Sequence, residues 1–352
     1  MGKGGAIGNE VFFHIGRMPM AFADYVQAIE PGSHSQDLLT VSGSFAAYST
    51  PCVCCRKMTT SPGAAPWEEK YIMNSFQPAP SKLYLATAGG ATAAVLHHGA
   101  QVASWRSAKG TENIYLSELA DFSPGSAVRG GVPICFPQFS TLGDLPLHGF
   151  FRNQIWTPVP GGADGAEIAR LQLRDTDETR ALWPHAFQAE LQVAVADHSL
   201  EIVFSVSNTG AEVFSFTAAL HTYFRVTEIA NVAIAGLQNV RYLDKLKENV
   251  IDTETSARLL IDRPLDRIYY NTTGALTLEE GARQLRISTQ GMPDTVVWNP
   301  GPERCATIAD LPDDAWRHFV CIEAAAIDAP ISLAPGATWR GVQKMEDIQG
   351  DR

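Results

Sequence analysis

"FQAELQVAVADHSLEIVFSVSN", residues 187–208, is the stretch that decides the fold class. Phe187, Ala189, Leu191, Val193 and Val195 alternate with polar or small residues, and Leu200, Ile202, Phe204 and Val206 do the same after the "DHS" break. A period of two places every second side chain on one face, so the two runs are expected to pair as an antiparallel hairpin with one buried side. "ALTLEEGARQLRIS" (275–288) repeats the device, with Leu276 and Leu278 facing Leu285 and Ile287 across a connection that contains Gly281. Helical signals are confined to short pieces. One is "TDETRALWP" (176–184), which Pro184 stops; the other is "DLPDDAWRHF" (310–319), just before an apolar run. Many short strands, few helices and no βαβ alternation predict an all-β fold: a large two-sheet antiparallel β-sandwich over residues 81–352, with a few short helices.

Composition excludes several function classes. The 352 residues carry 27 basic and 38 acidic side chains, a net charge of −11, and no concentrated basic stripe, which argues against a nucleic-acid partner. No apolar run approaches the roughly 18 residues of a membrane helix, and no basic-then-apolar leader is present. A cytoplasmic monomer acting on a small molecule is the expectation, and an anionic substrate would have to be caught by a few local arginines. The start "MGKGGA" has Ala6 where a myristoylation signal needs Ser or Thr. Cys135, Cys305 and Cys321 sit in apolar surroundings that suit buried thiols. Cys52, Cys54 and Cys55 form a compact group, but no second cluster at metal-ligand spacing follows, so no metal is expected. The sequon at Asn271 has meaning only in a secretory compartment, to which nothing else points.

Residues 1–80 read as an extension, rich in Gly, Ser, Pro and Met and without sustained periodicity. Within it, "PMAFADYVQAIE" (19–30) sets Phe22, Tyr25, Val26 and Ile29 on one helical face. Its acidic residues, Glu10, Asp24, Glu30, Asp37, Glu68 and Glu69, are unlike those of a transit peptide.

Two strand-like runs hold ionisable groups where apolar ones belong. His221 lies in "FSFTAALHTYFRV" (214–226), and Glu323 is the only carboxylate of "HFVCIEAAAI" (318–327). A buried carboxylate must be paired, protonated or lining a cavity. Taken singly, His221 reads as well as a satisfied core histidine and Glu323 as half of a structural ion pair. Together, on separate strands of one sandwich, they suggest a matched acid and base. "RGGVPICFPQFSTLGDLPLHGFFRNQIW" (129–156) supplies two cations in a stiff frame: Arg129 beside Gly130, Gly131 and Pro133, and Arg152 beside Phe150 and Phe151. Rigid guanidinium groups lower the ordering cost of binding an anion and suit bidentate contact with phosphate. His148 reads equally as a ligand-facing donor or as part of the turn. Asp244, in "RYLDKLKE" (241–248), could pair with Lys245 or Lys247 or meet a sugar hydroxyl.

In order and spacing, "RGGVPICFPQF" (129–139), "LPLHGFFRNQIW" (145–156), "LHTYFRV" (220–226), "YLDKL" (242–246), "VVWNP" (296–300) and "CIEAAA" (321–326) resemble the hexose-6-phosphate mutarotases. These are the glucose-6-phosphate 1-epimerases of the galactose-mutarotase-like superfamily. The resemblance covers about residues 82–345. It implies a β-sandwich isomerase without metal or organic cofactor, with His221 and Glu323 as the catalytic pair and Arg129, Arg152 and Asp244 as substrate contacts. Leu147 departs from it, since the family commonly carries a substrate-touching glutamine before the histidine of "HGF". That loss bears on substrate preference more than on reaction type.

Anomer interconversion needs a base at the C1 hydroxyl and an acid at the ring oxygen. Glu323 and His221 are expected in those roles, starting from an ionised carboxylate and a protonated imidazole. Three rivals remain open: a non-catalytic sugar-binding sandwich, a glycoside hydrolase using Glu323 with Asp244 as paired carboxylates, and a mutarotase for a neutral hexose.

Overall fold

The structure, a computed structural model, describes residues 80–160 and 165–349. The chain divides into two units, Met1–Asn74 and Ser75–Arg352, and the described residues all belong to the second. The helix expected at 19–30, the cysteines at 52–55 and all but the last residue of the expected extension lie outside the described residues.

The opening hairpin forms as expected. Phe187–Ala196 pairs with Ser199–Asn208 in a register that runs from Phe187↔Asn208 to Ala196↔Ser199, leaving Asp197 and His198 as a two-residue turn. Phe187, Ala189, Leu191, Val193 and Val195 are buried, as are Leu200, Ile202, Phe204 and Val206. These strands are central in a nine-stranded sheet. Its order is Arg258–Leu260, Val232–Ala235, Leu276–Glu280, Arg283–Gln290, Thr338–Gln349, Ser199–Asn208, Phe187–Ala196, Ile168–Arg174 and Thr157–Pro158. Within it the second expected hairpin pairs Leu276 with Ile287 and Leu278 with Leu285, around Gly281 at φ 59°.

An eight-stranded sheet packs against this one. Its order is Val250–Thr253, Arg241–Asp244, Leu265–Tyr269, Asp294–Asn299, Phe319–Leu333, Phe214–Leu220 and Ile134–Cys135, and Tyr223–Arg225 also pairs with Phe319–Leu333. Residues Lys82–Ala86, Thr92–Leu96 and Val102–Arg106 make a small third sheet. Every strand pairing in the three sheets is antiparallel. One core joins Ala218, Leu220, Val297, Val320, Ile322 and Ala324 of the eight-stranded sheet to Leu191, Val193, Ile202, Phe204, Leu285 and Met345 of the other. The odd-numbered residues of Phe319–Ala325 must then point to the opposite face, away from the sandwich core. Cys321 and Ala325 do so, in separate smaller clusters.

The helix expected at 176–184 is present as Asp177–Leu182. Thr176 caps it, accepting from the Thr179 N–H at 3.3 Å while Thr179 Oγ1 accepts from the Thr176 N–H at 2.8 Å. The stretch 310–319 gives less than expected, a single 3₁₀ turn at Ala315–Arg317. The unanticipated helix lies upstream at Gly301–Cys305, where Pro302 supplies the fixed φ that suits a first turn. Among the described residues no helix is long and apolar enough to cross a membrane.

Phe136 ties the 129–156 segment to the core. Its ring lies 4.2 Å from that of Phe151, 4.9 Å from Phe216, 5.5 Å from Trp183 and 5.8 Å from Phe204. Truncating it would open a cavity walled by four rings that cannot collapse together. Phe136→Ala is expected to lower stability by about 3–5 kcal/mol in urea unfolding; a loss below about 1 kcal/mol would show that this cluster is not a keystone of the core.

Candidate active site

His221 and Glu323 meet because of strand register. Leu220 pairs with Ala324 on one side of His221, and Tyr223 pairs with Cys321 on the other. Two residues therefore separate the flanking pairs on each strand, and His221 falls directly opposite Glu323. The His221 Nε2 and Glu323 Oε1 atoms are 3.3 Å apart. The side chains are 11% and 1% exposed. His221 keeps its rung to the strand on its other side, and it is Thr222 that leaves the ladder. The His221 N–H donates to the Pro133 carbonyl at 2.9 Å, while the Thr222 N–H folds back onto the Leu220 carbonyl at 2.9 Å. The result is a three-residue turn centred on the histidine.

The glycines of "RGG" have a mechanical purpose. Residues 131–135 run beside 219–223, with the Tyr223 N–H bonded to the Gly131 carbonyl at 3.0 Å and Cys135 in register with Ala219. Gly131, at φ 67°, passes so close to a neighbouring strand that a Cβ would lie 2.5 Å from the Val102 carbonyl oxygen. No larger residue fits there. Arg129, at the start of this run, donates from Nε to Asp310 at 3.0 Å and from Nη1 to the Tyr223 hydroxyl at 3.3 Å. The Tyr223 ring in turn stacks on the His221 imidazole, with centroids 4.9 Å apart and planes at 14°. Trp298 meets the same imidazole edge-on at 5.9 Å.

Arg152 and His148 come from the other arm of the segment. Arg152, in the 3₁₀ turn Phe151–Asn153, donates from Nη2 to the Leu147 carbonyl at 2.8 Å. The Leu147 residue itself is 51% exposed, so what replaces the glutamine here is a rim position whose backbone oxygen still anchors an arginine. His148 adopts φ 64°, a costly conformation outside glycine. Its Nδ1 accepts from the Ser140 N–H at 3.2 Å, so the neutral ring carries its hydrogen on Nε2. Burial, with the positive charges of Arg152, Lys245 and Arg129, pushes its pKa down to about 3. It stands edge-on to His221 at 5.5 Å as a permanently neutral donor.

The electrostatics correct one expectation. Burial lowers the His221 pKa well below 6.5, with His148, Arg152 and Arg129 adding to the effect. Burial also raises Glu323 well above 4.5, reinforced by Asp266 and opposed by Lys245 and Arg152. Desolvation is the first cause at both groups and acts against both charged forms, and so against the ion pair expected from the sequence. His221 Nδ1, Glu323 Oε2 and Arg152 Nε are buried without a hydrogen-bond partner. Such atoms are costly to leave unbonded.

Asp244 is not in this group. By strand alternation Leu243 faces the site side, against Ile268 and Val296, and Asp244 faces the other. There its carboxylate accepts from Arg267 Nε at 3.2 Å, and Arg267 also bonds Glu254 at 3.1 Å. Lys247 stands 4.0 Å away. The expected substrate contact is thus half of a structural ion pair, and the Glu323 and Asp244 pairing that a glycoside hydrolase would need is not made. Two residues that sequence reasoning did not place in the site take that position. Lys245 and Asp266, paired at 3.2 Å, both act electrostatically on Glu323. The alternation that removes Asp244 would have found them.

The sequence profile described as aldose 1-epimerase matches residues 82–346. A protein of Cenchrus ciliaris named "Putative glucose-6-phosphate 1-epimerase" is 36% identical over 271 residues, covering 74% of this chain and 82% of its own length. The protein of the same name from Escherichia coli K12 is 37% identical over 235 residues, covering 64% of this chain and 77% of its own. Among solved structures, one titled as a "putative mutarotase" from Salmonella typhimurium superposes with a TM-score of 0.68 at 30% identity, over 74% of this chain and 88% of that one. With the profile spanning most of the sandwich and the relatives covered over most of their length, the chain belongs to the aldose 1-epimerase family.

Proposed function

We propose that this epimerase interconverts the α and β anomers of glucose 6-phosphate. The observation that carries the proposal is the contact of an imidazole and a carboxyl at 3.3 Å in a site where Arg129 and Arg152 both act on the imidazole. An acid and a base are what ring opening needs, and two fixed guanidinium groups are what a phosphate needs. The names of the relatives point to the same substrate.

Glu323 removes the proton of the C1 hydroxyl while the bond from C1 to the ring oxygen breaks and His221 protonates that oxygen. The products are the C1 aldehyde and a C5 hydroxyl. Rotation about C1–C2 and the reverse proton transfers close the ring on the other face. The pair holds one proton, which rests on Glu323 before substrate binds and passes to His221 across the 3.3 Å contact to make the reactive form. Arg129 and Arg152 hold the phosphate, and the His148 Nε2–H donates to a substrate oxygen. A neutral hexose would leave both arginines unused.

Each proton-transfer group is worth about 10² to 10⁴ in rate, so Glu323→Gln is expected to lower kcat for glucose 6-phosphate by that factor in a polarimetric assay. Near wild-type turnover by that variant would end the proposal. Arg129→Ala should raise KM for glucose 6-phosphate about 10- to 100-fold, the value of a hydrogen bond to a charged group, and leave KM for glucose almost unmoved. Equal losses on both sugars would remove the phosphate from the site. The pH profile tests the pair itself. Because burial depresses His221, a second proton enters only well below pH 6.5. Because burial raises Glu323, the single proton stays bound well above pH 4.5. The value of kcat/KM, which follows the substrate-free protein, should therefore show no enzyme acid limb as pH falls through 6.5 and drop from that cause only in more acid solution; a limb of the enzyme centred at 6.5 would mean that the two groups titrate separately.

A further inference from the structure

Gln343 is out of place by ordinary packing rules. It lies on the inner face of Thr338–Gln349, between Gly341 and Met345, and is 0% exposed in the core between the two large sheets. A lone amide there needs hydrogen-bond partners to be tolerated. Each of its two polar atoms has one. Its Oε1 accepts from the Thr222 hydroxyl at 2.5 Å, and its Nε2 donates to the Ile322 carbonyl at 3.1 Å. Thr222 follows His221, and Ile322 precedes Glu323.

The reason for the contact lies in the ladder. Thr222 sits opposite Ile322, and in an unbroken antiparallel pair the two would exchange both backbone hydrogen bonds. One survives, from the Ile322 N–H to the Thr222 carbonyl at 3.2 Å. The other is missing because the Thr222 N–H has turned back to Leu220 to form the turn that presents His221. The Ile322 carbonyl is left without its strand partner, and the Gln343 amide takes its place.

We propose that Gln343 is a positioning residue for the acid–base pair, a cross-core clamp that replaces the rung lost at the His221 turn and fixes the spacing of His221 and Glu323. This rests on the function proposed above. Without the clamp the register still sets His221 opposite Glu323, but the Ile322 carbonyl is left unbonded in the core and the turn that carries the imidazole loses the support that fixes its spacing from the carboxyl.

The test uses the full-length protein with Gln343→Leu, Thr222→Val and Thr222→Ser. Two quantities are read: kcat and KM on glucose 6-phosphate, and the titration of the His221 imidazole by NMR, assigned by difference from His221→Asn. Gln343→Leu is expected to lose about 10²-fold in kcat, the cost of a displacement near 1 Å, with little change in KM. Its His221 should titrate closer to the ordinary value of 6.5 than in the wild type. Thr222→Val should follow Gln343→Leu, and Thr222→Ser, which keeps the hydroxyl, should follow the wild type. If Gln343→Leu does not fold, the valine and serine variants decide between them. A folded Gln343→Leu with wild-type kcat and an unmoved His221 titration overturns the clamp, as does a Thr222→Val indistinguishable from Thr222→Ser. If the wild type fails to accelerate anomerisation of glucose 6-phosphate, the functional proposal falls, and the titration still tests the clamp.

Discussion

Everything in the site follows from one cross-strand opposition. A constant register on both sides of His221 puts an imidazole and a carboxyl face to face on adjacent strands, at the distance where directly opposed side chains meet. Two strands of a large sheet cannot slide without turning a whole apolar set to water, so the pair is held by the burial of the sandwich rather than by its own attraction. Burial acts against the charged form of each group.

The eight-stranded sheet has two faces with different duties. One packs Leu220, Val297, Val320, Ile322 and Ala324 into the core. The other presents His221, Glu323, Trp298 and Asp266 beside Tyr223. The same alternation sorts the charges. Lys245 and Asp266 fall on the face of His221 and Glu323, while their chain neighbours Asp244 and Arg267 are buried behind them in an ion network with Glu254 and Tyr269. Fixing Asp244 and Arg267 from behind also fixes the strand positions of Lys245 and Asp266 in front. The cost of holding a functional geometry is visible in the backbone as well, in the left-handed φ of His148 and Ser140 at the two ends of the rim loop.

Much of this was legible in the order of residues. Period-two alternation gave both hairpins and, in the second, the facing residues, because a half-buried antiparallel strand writes its burial directly into the sequence. A carboxylate and an imidazole in apolar strands marked themselves as exceptions, and the glycines beside Arg129 marked a stiff frame; the close approach of Gly131 to Val102 came only with the structure. The stretch 310–319 imitates a helix start by its acidic, turn-rich composition, yet it forms only the 3₁₀ turn Ala315–Arg317.

What the sequence alone determined was the architecture and the identity of the paired groups, since both depend on patterns local to a strand. Which carboxylates share a face, how strongly burial acts against each charge, and that a glutamine far along the chain bonds the neighbours of both His221 and Glu323 were decided only by the tertiary structure. Those properties depend on distances between strands remote in sequence and on how completely water is excluded, and no run of consecutive residues encodes either.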